Sequence, residues 1–175
     1  MEILYEAFGD KFHVVLGRGE VTKELIWSGR NPKRTVIAME QGRVLGVAGL
    51  SYAGGKSLDI SVWQLLRRLK AGSLRAALLG RAFDHKPEDG EMIVDMLAVR
   101  REFRGRGIGR GLLEWVSGFA KDRGYNRLRL HVTDRNHRAK SFYEDVGFRE
   151  EGYEHLGYLG RFFDFEGGYR MIRDL

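Results

Sequence analysis

Val99 to Leu113 reads VRREFRGRGIGRGLL, and this stretch constrains the chain more than any other. Gly105, Gly107, Gly109 and Gly111 alternate with Arg106, Ile108 and Arg110, and Arg104 stands before them. An apolar run, Met92 to Val99, leads in and reads as a strand. Leu112, Leu113, Val116, Phe119 and Ala120 follow at helical spacing and predict an amphipathic helix from Gly107 to Arg123. Strand, glycine turn and helix together form an anion site, because the turn N–H groups and the positive end of the helix dipole converge. Two familiar phosphate motifs are excluded by position. G-x-G-x-x-G fails at Arg110 when begun at Gly105 and at Leu112 when begun at Gly107. The Gly55-Lys56-Ser57 run would need its first P-loop glycine at position 50, which is Leu50.

The pattern that fits is R-x-x-G-x-G, at Arg104, Gly107 and Gly109. It resembles the pyrophosphate loop of the GNAT superfamily of acyl-CoA-dependent N-acyltransferases. Two neighbours strengthen the match. Met96-Leu97-Ala98-Val99 is similar to the end of that family's fourth strand. Asn136, Ala139, Tyr143, Gly147 and Phe148 fall on its N-x-x-A-x-x-x-Y-x-x-x-G-F segment.

The resemblance implies an α/β (α+β) GNAT fold. Its central sheet is mixed and mostly antiparallel, of six to seven strands flanked by helices, in a single domain over residues 1–175. It implies acetyl-CoA as co-substrate, held by Leu97, Ala98 and Val99, whose strand edge would pair with the pantetheine arm. Arg104, Gly105, Arg106, Gly107, Ile108, Gly109 and Arg110 would hold the pyrophosphate, with Asn136 and Tyr143 also against the cofactor. An N–H at Leu97 would face the thioester oxygen.

The remaining chain reads in order. Residues 1–29 suggest two helices. Thr35 to Met39 and Val44 to Tyr52 suggest antiparallel strands joined at Gln41-Gly42. Residues 58–88 depart from the family layout: Val62, Leu65, Leu66 and Leu69, then Leu74, Ala77 and Leu78, suggest a helical insertion between the family's third and fourth strands. It reads either as a packed hairpin or as a lid over the acceptor pocket. Arg127 to Val132, Phe148 to Tyr153 and Tyr169 to Ile172 read as further strands, and Asn136 to Asp145 as a helix. The β-α-β order over 92–132 requires a right-handed parallel crossover.

Chemistry narrows to a few side chains. Spacing alone puts Tyr143 on an apolar helix face with Ala139, Phe142 and Val146, where it would be core; the resemblance makes it the general acid. Asp95, inside an apolar strand, and His131, in the next strand, are the base candidates, because an unpaired carboxylate there is costly and a histidine titrates near neutrality. Alternation puts Asp95 on the face of Leu97 and Val99. Asn136 reads equally as a helix N-cap. Asp164 and Glu166 could bind a cationic acceptor.

Composition excludes other classes. With no cysteine in 175 residues there is no disulfide framework or thiolate site, and five scattered histidines show no zinc spacing, so no metal is expected. A net charge of +6 could attract nucleic acid, but arginines beside a polyanion site explain it, and no nucleic-acid partner is expected. The start carries no signal peptide and no run spans a bilayer, so a cytoplasmic location is expected. The expected partner is a small-molecule or peptide amine, with a homodimer compatible. A CoA-binding regulatory module without catalysis, or a basic nucleic-acid-binding domain, are the alternatives.

Overall fold

The computed structural model describes residue 3 and residues 20–60, 85–162 and 165–175. The first of the expected N-terminal helices, the two insertion helices within 61–84, and Asp164 lie outside the described residues. The described elements are helix α1 (Glu20–Gly29), strands β1 (Thr35–Glu40), β2 (Arg43–Ser51) and β3 (Glu91–Val99), helix α2 (Ile108–Lys121), strand β4 (Arg127–Thr133), helix α3 (His137–Asp145), and strands β5 (Arg149–His155) and β6 (Gly167–Asp174). Short 3₁₀ turns cover Pro32–Arg34, Arg101–Phe103 and Gly157–Phe162. The strand that resembles the family's fourth is thus the third of the six described.

The sheet order is β1-β2-β3-β4-β6-β5. Only β3 and β4 run parallel, and α2 is the crossover between them. The mixed, mostly antiparallel sheet expected from the sequence is therefore present. The β1–β2 hairpin turns at Gln41 and Gly42, whose φ of 47° and 76° are the left-handed pair that a two-residue turn requires.

α2 forms because Leu112, Leu113, Val116 and Ala120 recur at helical spacing, and all four are buried. Leu113, Val116 and Ala120 pack on Ala48, Leu50, Met92, Val94, Leu128, Leu130 and Val132, with Val146, Phe148 and Met171 completing the core. Gly46 lets the first turns of α2 approach β2: a Cβ there would lie 3.0 Å from Leu112 and 3.1 Å from Ile108.

β3 carries an irregularity that sets up everything around it. Gly49 pairs with Met96 but Leu50 with Val94, so Asp95 is an extra residue without a partner on β2. The bulge reverses which residues face α2. Met92 and Val94 belong to the α2 core, and so does Leu97, whereas Ala98 packs with Ile3 and Val47 in a separate cluster. Simple alternation, which put Asp95 on the face of Leu97 and Val99, therefore fails: one residue lies between Met92 and Val94, but two lie between Val94 and Leu97.

Candidate active site

β3 and β4 start together and then part. Glu91, Met92 and Ile93 pair with Arg127, Leu128 and Arg129, and no further pair follows among the described residues. β3 continues to pair with β2 as far as Val99, and β4 pairs with β6 as far as Thr133. From Val94 to Val99 one edge of β3 is left without a ladder beside a wedge. An extended arm bearing amides can add to such an edge like a strand.

The glycine turn closes the end of the wedge where β3 finishes. Gly105 and Gly107 have φ of 78° and 77°, and Gly107 is the residue that caps α2. An added Cβ at either meets nothing within 4 Å, so these glycines serve backbone conformation and open space. The first intrahelical bond is donated by Gly111 N–H to the Gly107 carbonyl at 2.9 Å. The N–H groups of the preceding turn are the ones a helix leaves for an anion. Gly109 differs: its Cβ would meet the Phe142 ring at 3.2 Å, so it also lets α2 and α3 approach. The exposed Arg104 donates from Nε to the Val99 carbonyl at 3.1 Å, which ties the turn to the end of β3. Arg110 reaches the Asp145 carbonyl at 3.4 Å, and Arg106 lies over Phe103.

Asp95 sits at the bulge with its Oδ2 accepting from the Ser51 hydroxyl at 2.5 Å, the Ser57 hydroxyl at 2.9 Å and Ser57 N–H at 3.5 Å. Its surface is open to solvent while protein surrounds most of the carboxyl, as at the floor of a cleft. Enclosure raises its pKa above the usual carboxylate value, and the serine hydrogen bonds only partly oppose that. Ser51 and Ser57 were not legible as site residues, because they lie 44 and 38 positions away in the chain and only the fold brings them to Asp95.

His131 is on β4, two residues beyond the last β3–β4 pair, level with Asp95 across the wedge. Burial, the neighbouring His85 and the cations Arg129 and Arg170 hold its pKa down to about 3. Its ring stacks on His85 at 3.6 Å, and Glu154 Oε1 lies 3.6 Å from its Nε2. Beside it, the buried Arg129 pairs with Glu88 at 3.2 Å and with the buried Glu91 at 3.4 Å, and donates to the Lys86 carbonyl.

Tyr143 projects from α3 against the core, with Phe142 and Phe148 rings 5.4 and 5.9 Å away. Burial pushes its pKa up to about 12. Asn136 caps α3, its side-chain oxygen accepting Ala139 N–H at 3.2 Å, so the capping role is real. Glu166 lies just before β6, where its N–H and that of Gly167 donate to Asp134 at 3.2 and 3.0 Å.

The site's parts are thus an open strand edge, a glycine turn at the N-terminus of α2, a carboxyl at a bulge and a protonated phenol. A family model described as the acetyltransferase (GNAT) family matches residues 1–148. The chain belongs to the GNAT acetyltransferase family. Mouse N-alpha-acetyltransferase 80 is 36% identical over 73 residues, which are 42% of this chain and 21% of that protein. Mycothiol acetyltransferase of Beutenbergia cavernae is 30% identical over 131 residues, 74% of this chain and 42% of that protein. The chain therefore spans less than half the length of either relative. A solved Bacillus subtilis acetyltransferase in complex with CoA has the same fold, with a TM-score of 0.58, 16% identity, and coverage of 95% of this chain and 92% of that one. Among the described residues no helix is long and apolar enough to cross a membrane.

Proposed function

We propose that this GNAT chain transfers an acetyl group from acetyl-CoA to a primary amine by direct attack. The observation that carries the proposal is the parting of β3 from β4 beside the Asp95 bulge, with the glycine turn at its end. The free edge of β3 would take the pantetheine amides, and the turn N–H groups with Arg104 and Arg110 would take the pyrophosphate. The amide NH₂ of Asn136, whose oxygen caps α3, is placed to add a contact. CoA in a solved acetyltransferase of the same fold supports the assignment.

The reaction needs an uncharged amine. An ammonium with a pKa of about 10.4 must lose its proton before attack. Asp95 is the base: Oδ2 is held by serines, and the carboxylate takes the proton directly or through water. Its raised pKa strengthens it relative to an ordinary carboxylate. His131 is the poorer base, since a pKa of about 3 leaves it little basicity. The amine nitrogen bonds to the thioester carbon, the developing oxyanion takes the Leu97 N–H, and the carbon–sulfur bond breaks.

In this reading Tyr143 is the donor to the leaving sulfur. At a pKa of about 12 the phenol stays protonated and is a donor at any physiological pH. A free thiol has a pKa of roughly 8.5, so complete transfer from this phenol would be uphill by about 5 kcal/mol. Tyr143 therefore stabilises the thiolate mainly through a hydrogen bond, and the proton passes fully only as the product leaves.

The amine itself is a small molecule or a peptide. The test is thiol release from acetyl-CoA against a panel of polyamines, amino acids, lysine peptides and peptide N-termini. Release with at least one amine is expected. Tight CoA binding without release on any of them would make the chain a binding module.

A further inference from the structure

His85, His131 and Glu154 come from three separated parts of the chain: the segment entering β3, strand β4 and strand β5. We propose that they form a binding site for one divalent transition metal ion of the zinc class, with two imidazoles and one carboxylate as ligands and a fourth position open.

The distances decide between possible occupants. Glu154 Oε1 is 3.6 Å from His131 Nε2, Glu154 Oε2 is 3.8 Å from His85 Nδ1, and one ligand atom from each residue lies within 4.8 Å of the others. These separations exceed a hydrogen bond, so the groups are not satisfying one another. Two atoms each about 2.05 Å from a tetrahedral zinc stand about 3.3 Å apart, shorter than the two carboxylate–imidazole separations, which run to different oxygens of Glu154, so the three groups must draw together to close on an ion. Two acceptors each about 2.9 Å from an ammonium nitrogen stand about 4.7 Å apart, which is wider than either carboxylate–imidazole separation. The two carboxylate–imidazole separations are therefore nearer to those of a metal site than to those of an ammonium site.

Its electrostatics agree. His131 Nε2 is buried and without a hydrogen-bond partner, an orphaned acceptor that a metal would satisfy. The nearby cations do not repel an ion outright, because carboxylates already hold both. Arg129 pairs with Glu88 and Glu91, and Arg170 with Glu151 at 3.0 Å and Glu88 at 3.6 Å. Glu154 remains as the carboxylate facing the imidazoles. The rings, stacked at an interplanar angle of 12°, must tilt apart so that both lone pairs converge.

Such an ion would fasten three segments that lack sequence proximity, and in particular would anchor the end of the 61–84 segment, at His85, to the sheet. Nothing in this depends on acetyl transfer.

The experiment uses the untagged full chain stripped with chelator, titrated with Zn²⁺ alone by calorimetry, with a thermal melt and a Co²⁺ absorption spectrum alongside. Expected are one saturable site, a rise in Tm, and visible Co²⁺ bands of tetrahedral intensity. E154Q and H85N, each confirmed folded by circular dichroism, should each weaken Zn²⁺ at least tenfold and remove the rise in Tm. Absence of saturable binding overturns the proposal. So does binding that both variants leave unchanged, which would be an adventitious ion elsewhere, or a pocket that takes methylammonium while refusing Zn²⁺.

Discussion

At the scale of single residues, each glycine of the turn has its own physical role. Gly107→Ala forces a side chain into a left-handed conformation, at a cost of about 1–2 kcal/mol. It also crowds the anion, so CoA binding measured by calorimetry should fall steeply while circular dichroism stays native. Gly109→Ala should do something different. Its methyl meets Phe142, so the melting temperature should drop along with CoA affinity. Tyr143→Phe removes one hydroxyl and little packing. Turnover should fall about 10²-fold with CoA affinity nearly unchanged, and an unchanged rate would return Tyr143 to a core role.

Asp95 adds a pH signature. Its pKa is raised from 3.8 in the fold, so the acid limb of kcat/KM should lie above that value. Ser57→Ala removes the hydroxyl donor that favours the carboxylate, and the limb should move further up. Stability follows the opposite sign to an ordinary salt-bridged aspartate. A raised folded pKa means that Asp95 favours folding most below its unfolded pKa, and that this contribution is lost as pH rises through the folded value. Asp95→Asn should therefore collapse turnover without lowering the melting temperature at pH 7.

At the scale of elements, two polar locks brace the strands around the wedge. Arg129 and Glu91 are both buried, so Arg129→Ala strands a carboxylate among apolar groups. A loss of about 3–5 kcal/mol in a denaturant titration is expected. Arg127, 3.6 Å from Glu91, would compensate only in part. The second lock is Asp134, which receives the Tyr153 hydroxyl at 2.7 Å and the N–H groups of Glu166 and Gly167. Burial pushes its carboxyl up, but these bonds together hold it below 3.8. Its contribution to stability is thus present above the unfolded pKa and lost as pH falls through the folded one. Tyr153→Phe should lower the melting temperature at pH 7 and flatten the loss of stability in acid.

At the scale of the molecule, the sheet splits the work. β2, β3 and the glycine turn form the side to which we assign the cofactor, and β4, β6 and β5 carry the polar groups of the other side of the wedge. Residues 61–84 lie between β2 and β3 in sequence, and the described chain on either side of them is tied down. Asp59 N–H donates to Gly29 at the end of α1, and the stretch after His85 carries Glu88, the partner of Arg129. Replacing 61–84 alone with a Gly/Ser linker spares both anchors. CoA affinity should persist while the pattern of amines used changes. Loss of CoA affinity in the folded variant would put the segment in the cofactor site. Acetyl-CoA should also raise the stability of the whole domain by about 2.7 kcal/mol at a hundred times its dissociation constant.

Sequence by itself determined what depends on local pattern. The glycine alternation after an apolar run, the helical spacing of Leu112 to Ala120, the Gln41-Gly42 turn and the Asn136 cap are all short-range, so the family and most of the sheet could be read from them. What depends on register could not be read. A single extra residue in β3 moved Asp95 off the face that alternation assigned, because a one-residue slip reverses every later side chain. Ser51 and Ser57 became partners of Asp95, and His85 and Glu154 became neighbours of His131, only when strands distant in sequence were laid side by side. The parting of β3 from β4, which turns a strand edge into a binding surface, is likewise a decision of tertiary packing: no residue encodes it, and the absence of pairs after Ile93 creates it.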